Sequence, residues 1–335
     1  MRTLTLIVDE AWNGSTVKHL LRAQLHMAEG LIARVKLRET GLVRNGERVF
    51  TNARLRTGDV LCVEIGDEGA VNEALPIAAP LTFVYEDEDI AVLNKSPDMA
   101  VHGSTGGQGC TVANALAALW GRDAAFHPVS RLDRGTSGIM VIAKSAYVHD
   151  LLRRMLHTDA FRREYLALAR GAFPDDSGTV NLPIGRDEAA PTKRAVTPDG
   201  QPSRTEYTVL ERFPAGTLLR VRPLTGRTHQ IRVHMAAIGH PLFGDALYGS
   251  PDDMLSRPAL HSAYLSLRHP VTGETLELTA PLPVNTPPPP ASASGSGGGV
   301  FIENSCPEYT RCRCGGSRAF RIPRGSRAFR CVSLW

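Results

Sequence analysis

The chain reads Pro128-Val-Ser-Arg-Leu-Asp-Arg-Gly-Thr-Ser-Gly138 and continues directly as Ile139-Met-Val-Ile-Ala-Lys144. A polar, turn-forming segment therefore runs straight into an apolar stretch typical of a buried strand. We expect the acidic side chain before this junction, Asp133, at the rim of the core, where a rigid strand positions it and a lower dielectric strengthens its charge. Two interpretations fit these local features: Asp133 and Arg131 either serve a reaction or cap the turn.

A second informative stretch reads Arg222-Pro-Leu-Thr-Gly-Arg-Thr-His-Gln-Ile-Arg-Val-His-Met235. A strand is expected to end near its start, and Thr225-Gly226 turns the chain. The apolar residues Ile231, Met235 and Ile238 then recur at helical spacing, which predicts a helix over 228–238.

The polar residues of this stretch indicate a site for an anion. Arg227 and His229 would lie in the first turn of the predicted helix, where free backbone N–H groups favour phosphate or carboxylate. Arg232 lies next to the apolar stripe, so its head group would need a carboxylate partner if it is buried. His229 and His234 are five residues apart, a poor spacing for two metal ligands on one helix face.

Outward from these stretches, strands outnumber helices between 81 and 283. The apolar patterns predict helices at 111–119, 145–156 and 228–238, and strands at 81–85, 90–94, 138–143, 163–169, 204–211, 217–222, 263–268 and 275–279. The strands come in hairpin-like pairs, which favours an α+β domain with a mixed or antiparallel sheet.

Residues 1–70 form a separate small unit in this interpretation. A strand at 3–8 precedes helices at 16–25 and 28–40, the second closed by Gly41 as a C-terminal cap. Asn45-Gly46 lies between two short apolar runs, a strong hairpin signal, and another strand follows at 60–65. Nine basic and three acidic residues lie between positions 18 and 56, and the basic ones are Lys18, Arg22, Arg34, Lys36, Arg38, Arg44, Arg48, Arg54 and Arg56.

The composition, 42% hydrophobic and 21% charged, is that of a soluble globular protein. No apolar run approaches the roughly 20 residues of a membrane span. The first residues do not resemble a secretory signal, so we expect a cytoplasmic location. The net charge of +4 is uneven, because residues 301–335 hold seven Arg and two acidic residues and leave 31 basic and 32 acidic residues in 1–300.

Two segments differ in composition from the rest. Residues 71–80 are expected to be a linker. Residues 284–335 begin with Pro, Ser and Gly runs and end in an Arg- and Cys-containing tail that we expect to be disordered. Cys306, Cys312 and Cys314 are a weak zinc candidate, since C-x5-C and C-x-C are atypical spacings for a tetrahedral site.

Five motifs together resemble the RluA-type RNA pseudouridine synthases over about 81–283. Beside the two stretches above, the chain has Phe161-Arg-Arg-Glu-Tyr-Leu-Ala167, Gly239-His-Pro-Leu-Phe-Gly-Asp245 with Tyr248-Gly249, and Leu260-His261. Each motif is weak by itself, but the five in this order are specific. The unit at 1–70 resembles the alpha-L RNA-binding module, a common companion in that family. Ser130, Gly135, Lys95-Ser96 and Ser262 depart from the usual pattern without removing a group that the chemistry needs.

The resemblance implies a reaction that detaches uracil from its ribose, rotates it and rejoins it through a carbon atom. That reaction needs no redox cofactor, metal or external energy source. The sequence agrees, because it has no Gly-rich dinucleotide fingerprint, no Gly-Lys-Ser/Thr phosphate loop and no paired metal carboxylates.

The resemblance also assigns roles to residues. Asp133 would be the catalytic carboxylate, as nucleophile or base, and Arg232 is expected to pair with it and keep it charged. Tyr165 would stack on the extruded base and take part in a later proton transfer, although without the resemblance packing of this strand aromatic in the core would be the favoured interpretation. The expected RNA and substrate contacts are Arg131, Arg227, His229, Leu260, Arg34, Lys36 and Arg38.

Other functions stay open at this point. The fold could serve a non-catalytic RNA-binding protein, and a synthase could act on transfer RNA, although the front unit favours structured ribosomal RNA. The function we expect is a synthase that acts on large-subunit ribosomal RNA. A metal-dependent nuclease could use Glu86-Asp-Glu-Asp89, a run that fits a hairpin turn better. RNA is the expected partner; nothing indicates an obligate protein partner, and a monomer is the default.

Overall fold

The structure is a computed structural model that describes residues 2–67, 72–103, 109–190, 192–251 and 255–283. The predictions for 284–335, including the cysteine tail, lie outside the described residues. Within these ranges no helix combines the length and apolar character needed to cross a membrane.

The N-terminal unit contains one four-stranded antiparallel sheet and two short helices. Its elements are β1 (Thr3–Ile7), a 3-10 turn (Glu10–Trp12), α1 (Val17–Ala23), α2 (Glu29–Val35), β2 (Leu42–Arg44), β3 (Glu47–Arg48) and β4 (Val60–Glu64). The strand order is β1-β4-β2-β3. The predicted hairpin is present, and its turn residues Asn45 and Gly46 both have positive φ, 52° and 86°, as the mirror-image turn of a tight hairpin requires.

The second helix is shorter than predicted. It ends at Val35 rather than Thr40, because Leu37 and Arg38 donate backbone hydrogen bonds to residues three positions back, Arg34 and Val35. Gly41 is therefore not its cap. A glycine is needed there for another reason: a Cβ would lie 1.9 Å from the carbonyl oxygen of Val35.

The remaining residues form an α+β domain. Its strands are β5 (Thr82–Glu86), β6 (Ile90–Lys95), β7 (His127–Pro128), β8 (Ser137–Ala143), β9 (Phe161–Arg170), β10 (Ser177–Asn181), β11 (Ile184–Arg186), β12 (Arg194–Val196), β13 (Arg204–Phe213), β14 (Gly216–Pro223), β15 (Leu260–Arg268) and β16 (Thr275–Thr279). Its helices are α3 (Val112–Trp120), α4 (Ala146–Met155) and α5 (Gln230–Ala237).

Ten of these strands form one sheet in the order β10-β13-β14-β9-β15-β8-β6-β5, with β16 paired to β15 and β7 to β8. The β15–β8 pair is parallel and the other pairs are antiparallel. The sheet is therefore mixed, which agrees with the predicted fold class. The strands β7, β10, β11 and β12 were not predicted, because they are only two to five residues long and carry no alternation that could be seen without their pairing partners.

The hydrophobic core consists of two large clusters and one small one. The first joins the N-terminal unit to the sheet and α4: Leu20 and Leu61 belong to the same cluster as Val92 and Leu152. Across this junction, Tyr147 Oη donates to Leu25 O at 2.9 Å. The second cluster includes residues of the 128–138 and 222–235 stretches, Leu132 and Ile231, together with Tyr165.

The centre of the sheet holds the segment that carries Asp133. The segment leads into β8, whose first residues pair with β15: Ser137 with His261 and Gly138 with Ser262. Gly138 has φ +105°, and a Cβ there would lie 2.2 Å from Ser262 O, so only glycine permits this close pairing. The carboxylate is thus attached directly to a fully buried interior strand of the sheet.

Candidate active site

One cleft of about 830 Å³ is lined by residues of both stretches singled out in the sequence, 128–138 and 222–235. Of the predicted site residues, those that line it are Arg131, Asp133, Tyr165, Arg227, His229, Arg232 and Leu260. The fold therefore collects residues that are up to 129 positions apart in the chain. Arg34, Lys36 and Arg38 do not line this cleft.

Asp133 lies in a tight turn that a buried lysine anchors from below. Thr136 N donates to Asp133 O at 3.0 Å, which closes the turn. Lys95, 2% exposed, donates from Nζ to the carbonyl oxygens of Arg134, Ser96 and Met99 at 3.2, 2.7 and 2.8 Å. Burial lowers the pKa of Lys95 to about 7, while the charge of Asp133 opposes that shift. In the sequence, Lys95 stood out only as part of the Lys95-Ser96 pair that departs from the family pattern, so this anchoring role was missed.

Arg232 contacts Asp133, but its main partner is a different carboxylate. Its Nε and Nη2 donate to the two oxygens of Asp245 at 2.7 and 2.8 Å, and Nη1 lies 3.3 Å from Asp133 Oδ2. Burial lowers the pKa of Arg232, but the hydrogen bonds and charge of Asp245, with Asp133, outweigh it and hold the pKa above the ordinary value. Arg232 therefore contacts Asp133 as expected, but its two-bond partner is Asp245, which was not predicted.

Asp245 was missed as a site residue, although its motif was recognised. It is fully buried and also accepts from the backbone N–H groups of Leu247 and Tyr248 at 3.1 and 3.3 Å. The preceding residue, Gly244, has φ +66°, and a Cβ on it would lie 2.1 Å from Arg257 O. The need of a buried Arg232 for a carboxylate was the signal available in the sequence, but it did not say which one.

The helix that carries Arg232 begins at Gln230, two residues later than predicted. His229 adopts a left-handed conformation, φ 58° and ψ 17°, so the helix begins only after it. Gln230 fixes the preceding turn, since its Oε1 accepts from Arg227 N and Thr225 Oγ1 at 3.0 and 2.7 Å. Arg227 and His229 therefore precede the helix, and the predicted placement in its first turn is wrong.

The two histidines of this stretch have separate partners. His229 Nε2 lies 3.9 Å from Asp133 Oδ2. His234 is fully buried and lies 2.8 Å from Thr205 Oγ1 and 2.9 Å from Leu182 O. His229 therefore belongs to the cleft, whereas His234 connects α5 to β13.

Tyr165 and Leu260 form an apolar part of the cleft. Tyr165 is 6% exposed and Leu260 4%, and both belong to the second core cluster. The two interpretations of Tyr165 therefore coincide, because its ring packs in the core and also lines the cleft.

Two arginines stand at the open side of the cleft. Arg131 and Arg227 are exposed, and Arg227 Nε donates to Pro202 O at 3.3 Å. Exposed guanidinium groups beside an anionic centre can contact phosphate without the cost of burial.

The predicted cations of the N-terminal unit differ among themselves. Arg34 and Lys36 are exposed. Arg38 is half-buried, donates to Gly66 O at 2.9 Å and lies 3.4 Å from Glu64 Oε1, so it stabilises the unit itself. An exposed aromatic lies on the same unit: Phe50 is 59% exposed, with the guanidinium of Arg48 5.4 Å from its ring centre.

The acidic run considered for a nuclease forms one side-chain group with His269. The ligand atoms of Asp87, Asp89 and His269 lie within 4.8 Å of one another. Asp87 Oδ1 accepts from the backbone N–H groups of Asp89 and Ile90, both at 2.8 Å, and Asp89 accepts from Arg2. His269 Nδ1 accepts from Thr272 N at 3.0 Å, so its Nε2 carries the proton and cannot ligate a metal in this arrangement.

Comparison with known proteins identifies the family of this chain. The family described as RNA pseudouridylate synthase matches residues 89–237. An uncharacterized RNA pseudouridine synthase of Bacillus subtilis is 38% identical over 263 residues, 78% of this chain and 93% of the relative. The ribosomal large subunit pseudouridine synthase D of Haemophilus influenzae is 42% identical over 71% of this chain and 76% of its own.

A solved structure shows the same fold. The human RNA pseudouridylate synthase domain containing 1 has a TM-score of 0.52 and 29% identity, over 60% of this chain and 83% of its own. Identity above one third over most of both chains, together with the ordered motifs around Asp133, establishes the family. The chain therefore belongs to the RluA-type RNA pseudouridine synthases, which are isomerases.

Proposed function

We propose that this protein converts uridines of large-subunit ribosomal RNA to pseudouridine, with Asp133 as the catalytic carboxylate. The observation that carries the assignment is the unequal treatment of the two acids around Arg232. Asp245 is saturated by two charge-assisted bonds and two backbone donors. Asp133 has one longer contact at 3.3 Å and a side chain 26% exposed to the cleft, so lone pairs on its oxygens are free to act on a ribose.

Arg232 places a fixed positive charge beside Asp133 in the cleft. Its guanidinium lies in place before substrate arrives, because Asp245 orients it from behind. A fixed positive charge beside a carboxylate favours the anion and needs no reorganisation during the reaction. Asp133 then acts on the ribose as nucleophile or as base while the bond to uracil breaks and reforms at carbon.

The target base leaves its stack to enter the cleft, at a cost of a few kcal/mol. Tyr165 offers an aromatic face and Leu260 an apolar one, and a stacked base recovers about 1–3 kcal/mol on an aromatic platform. Arg131, at the exposed edge of the same cleft, is placed to contact phosphate or to fill the vacated stack. Tyr165 is also the candidate for the later proton transfer from the uracil carbon.

The preference for large-subunit ribosomal RNA rests on two observations. The Haemophilus influenzae relative bears the name of a large-subunit synthase and is 42% identical. The N-terminal unit presents Arg34, Lys36 and Phe50 to solvent, a combination of cations and a stacking surface suited to RNA. Transfer RNA is the alternative substrate.

The experiment is to express the wild type, Asp133→Asn and Asp87→Asn in cells that lack their own synthase for the same RNA, and to map pseudouridine across ribosomal and transfer RNA. We expect marks in large-subunit RNA with the wild type and Asp87→Asn, and none with Asp133→Asn. Marks only in transfer RNA would overturn the substrate, persistence in Asp133→Asn would overturn the carboxylate, and no mark with the wild type would contradict the function.

A further inference from the structure

Tyr248 occupies a position between the two side chains that face Asp133. Its Oη lies 2.7 Å from His229 Nδ1, and its ring centre lies 5.0 Å from the Arg232 guanidinium carbon. One residue thus contacts both neighbours of the proposed catalytic carboxylate.

The hydrogen bonds around Tyr248 have a direction. Arg194 N, on β12, donates to Tyr248 Oη at 2.9 Å. With its oxygen accepting from that backbone N–H, the phenol is left with its own proton to donate, and His229 Nδ1 is the acceptor within reach. An imidazole whose Nδ1 accepts a hydrogen bond carries its proton on Nε2.

The other side of the ring leads to the same tautomer. His229 Nε2 lies 3.9 Å from Asp133 Oδ2, and an ionised carboxylate can only accept. A protonated Nε2 facing that oxygen is attractive, whereas a lone pair there would be repelled. The 3.9 Å gap is longer than a hydrogen bond, so the N–H is available to an oxygen atom that enters between them.

The backbone supports a functional constraint at His229. Its left-handed conformation, φ 58°, costs a non-glycine residue energy and persists where the surrounding contacts require it. Here the conformation ends the turn fixed by Gln230 and directs the imidazole to Tyr248 and Asp133.

We infer that His229 works as a neutral imidazole whose Nε2–H donates to an oxygen of the target nucleotide beside Asp133, and that Tyr248 is the positioning residue that fixes this tautomer. The inference rests on the proposed function for the identity of the nucleotide. It explains why the strand β12, outside the sheet of the cleft, reaches the site through one backbone N–H.

The charges around the ring favour its neutral form. Burial lowers the pKa of His229; Asp133 and Asp245 raise it, and Arg232 and Arg194 lower it, with a net shift below the ordinary value. A proton on Nδ1 would also displace the bond from Tyr248. Were the ring charged, it would pair with Asp133 and hold the carboxylate away from ribose.

The first test needs no variant of Tyr248 and no activity. Long-range proton–nitrogen NMR spectra of the wild-type protein with ¹⁵N-labelled histidine, at pH 7, report the tautomer of each ring, and His229→Gln identifies the signal. We expect a protonated Nε2 and an unprotonated Nδ1. A protonated Nδ1 or an imidazolium overturns the inference, whether or not the protein makes pseudouridine.

The second test removes only the hydroxyl. Tyr248→Phe keeps the ring against Arg232, and Tyr85→Phe is the matched control, because Tyr85 Oη donates to Asp87 at 2.7 Å outside the cleft. We expect kcat for Tyr248→Phe to fall about tenfold at pH 7. The acid limb of its pH profile should move to higher pH, since losing a donor to the neutral ring raises the pKa of His229.

The outcomes separate the two proposals. Wild-type protein that forms no pseudouridine contradicts the proposed function, while the tautomer measurement still decides this inference. An active wild type with a folded Tyr248→Phe of equal kcat and unchanged acid limb overturns the role of Tyr248. A Tyr248→Phe protein that loses rate with the acid limb in place is also contrary, because a merely structural defect would do the same.

Discussion

Two clusters of acidic residues in this protein contain the same residue types but differ in how many hydrogen bonds their carboxylates accept. Around Asp87 and Asp89, an arginine, a histidine and a tyrosine surround two carboxylates whose oxygens all accept hydrogen bonds. Asp87 accepts from two backbone N–H groups and from Tyr85 Oη. Asp89 accepts from Nε and Nη2 of Arg2. Around Asp133 and Asp245, an arginine, a histidine and a tyrosine recur, but only Asp245 is saturated.

The difference teaches how a carboxylate is kept available for chemistry. A saturated acid has a structural role, because both of its carboxylate oxygens already accept favourable hydrogen bonds. Asp133 instead contacts only Nη1 of Arg232, whose other two nitrogens are held by Asp245. The site can therefore keep a negative charge next to a fixed cation and still leave oxygen lone pairs open to substrate.

The largest expected effect separates the two clusters directly. Asp133→Asn should lower the rate of pseudouridine formation by at least about 1000-fold, because the essential anion is lost, while its free energy of unfolding changes by less than about 1 kcal/mol, since the side chain is partly exposed. Asp87→Asn should keep its rate and lose about 1–3 kcal/mol of stability through its disrupted hydrogen bonds. Single-turnover kinetics and urea unfolding of both variants check this; the reverse pattern would break the comparison.

The next effect concerns Arg2 and Arg232, each of which donates two hydrogen bonds to one carboxylate. Arg232→Met should lose activity and about 3–5 kcal/mol of stability, because it leaves Asp245 buried without a counter-charge. Arg2→Met should cost less, about 1–3 kcal/mol, and no activity: Asp89 is buried too, but Arg2 is 31% exposed where Arg232 is 10%, so its removal lets water reach Asp89. Unfolding curves of the pair provide the measurement, and an active, stable Arg232→Met would show that Asp133 does not depend on this cation.

A smaller effect is the pH dependence of the saturated cluster. Burial opposes ionisation of Asp87, but its contacts with His269, backbone N–H groups and Tyr85 outweigh it and hold its pKa far below the ordinary value. A lowered folded-state pKa contributes stability that is fully present above the unfolded-state pKa. This contribution is lost progressively as the pH falls from the unfolded-state pKa toward the folded-state pKa. The stability difference between wild type and Asp87→Asn should therefore shrink between about pH 5 and pH 3. A difference that stays constant over this range would refute the link.

The smallest expected effect is that of a chelator. Because the proposed chemistry uses a carboxylate and no metal, EDTA should leave the rate within about twofold, provided that monovalent salt keeps the RNA folded. A metal-dependent rival would use the acidic run at 86–89, with Asp87 and Asp89 as its carboxylate ligands. Loss of activity with EDTA, restored by a divalent cation and also caused by Asp87→Asn, would favour that rival.

Much of the fold followed from local patterns. The strands at 90–94 and 138–143 are continuous apolar runs, and both lie in the interior of the sheet as β6 and β8. The Asn45-Gly46 turn carries its own conformational requirement and could be located to the residue. The helix end at Val35 and the start at Gln230 could not, because the first depends on the backbone hydrogen bonds of Leu37 and Arg38 to residues three positions back and the second on bonds made by the side chain of Gln230.

By itself, the sequence determined the order of the motifs, the junction that places Asp133 before a central strand, and the need of a buried Arg232 for a carboxylate. Only the tertiary structure decided which acid meets that need. Asp133 lies 99 residues from Arg232 and Asp245 only 13, yet both are in contact with it, at different distances. The physical reason is that burial and the number of accepted hydrogen bonds are properties of a position in the folded chain. Whether a carboxylate has a structural or a catalytic role is therefore decided only when its neighbours are in place.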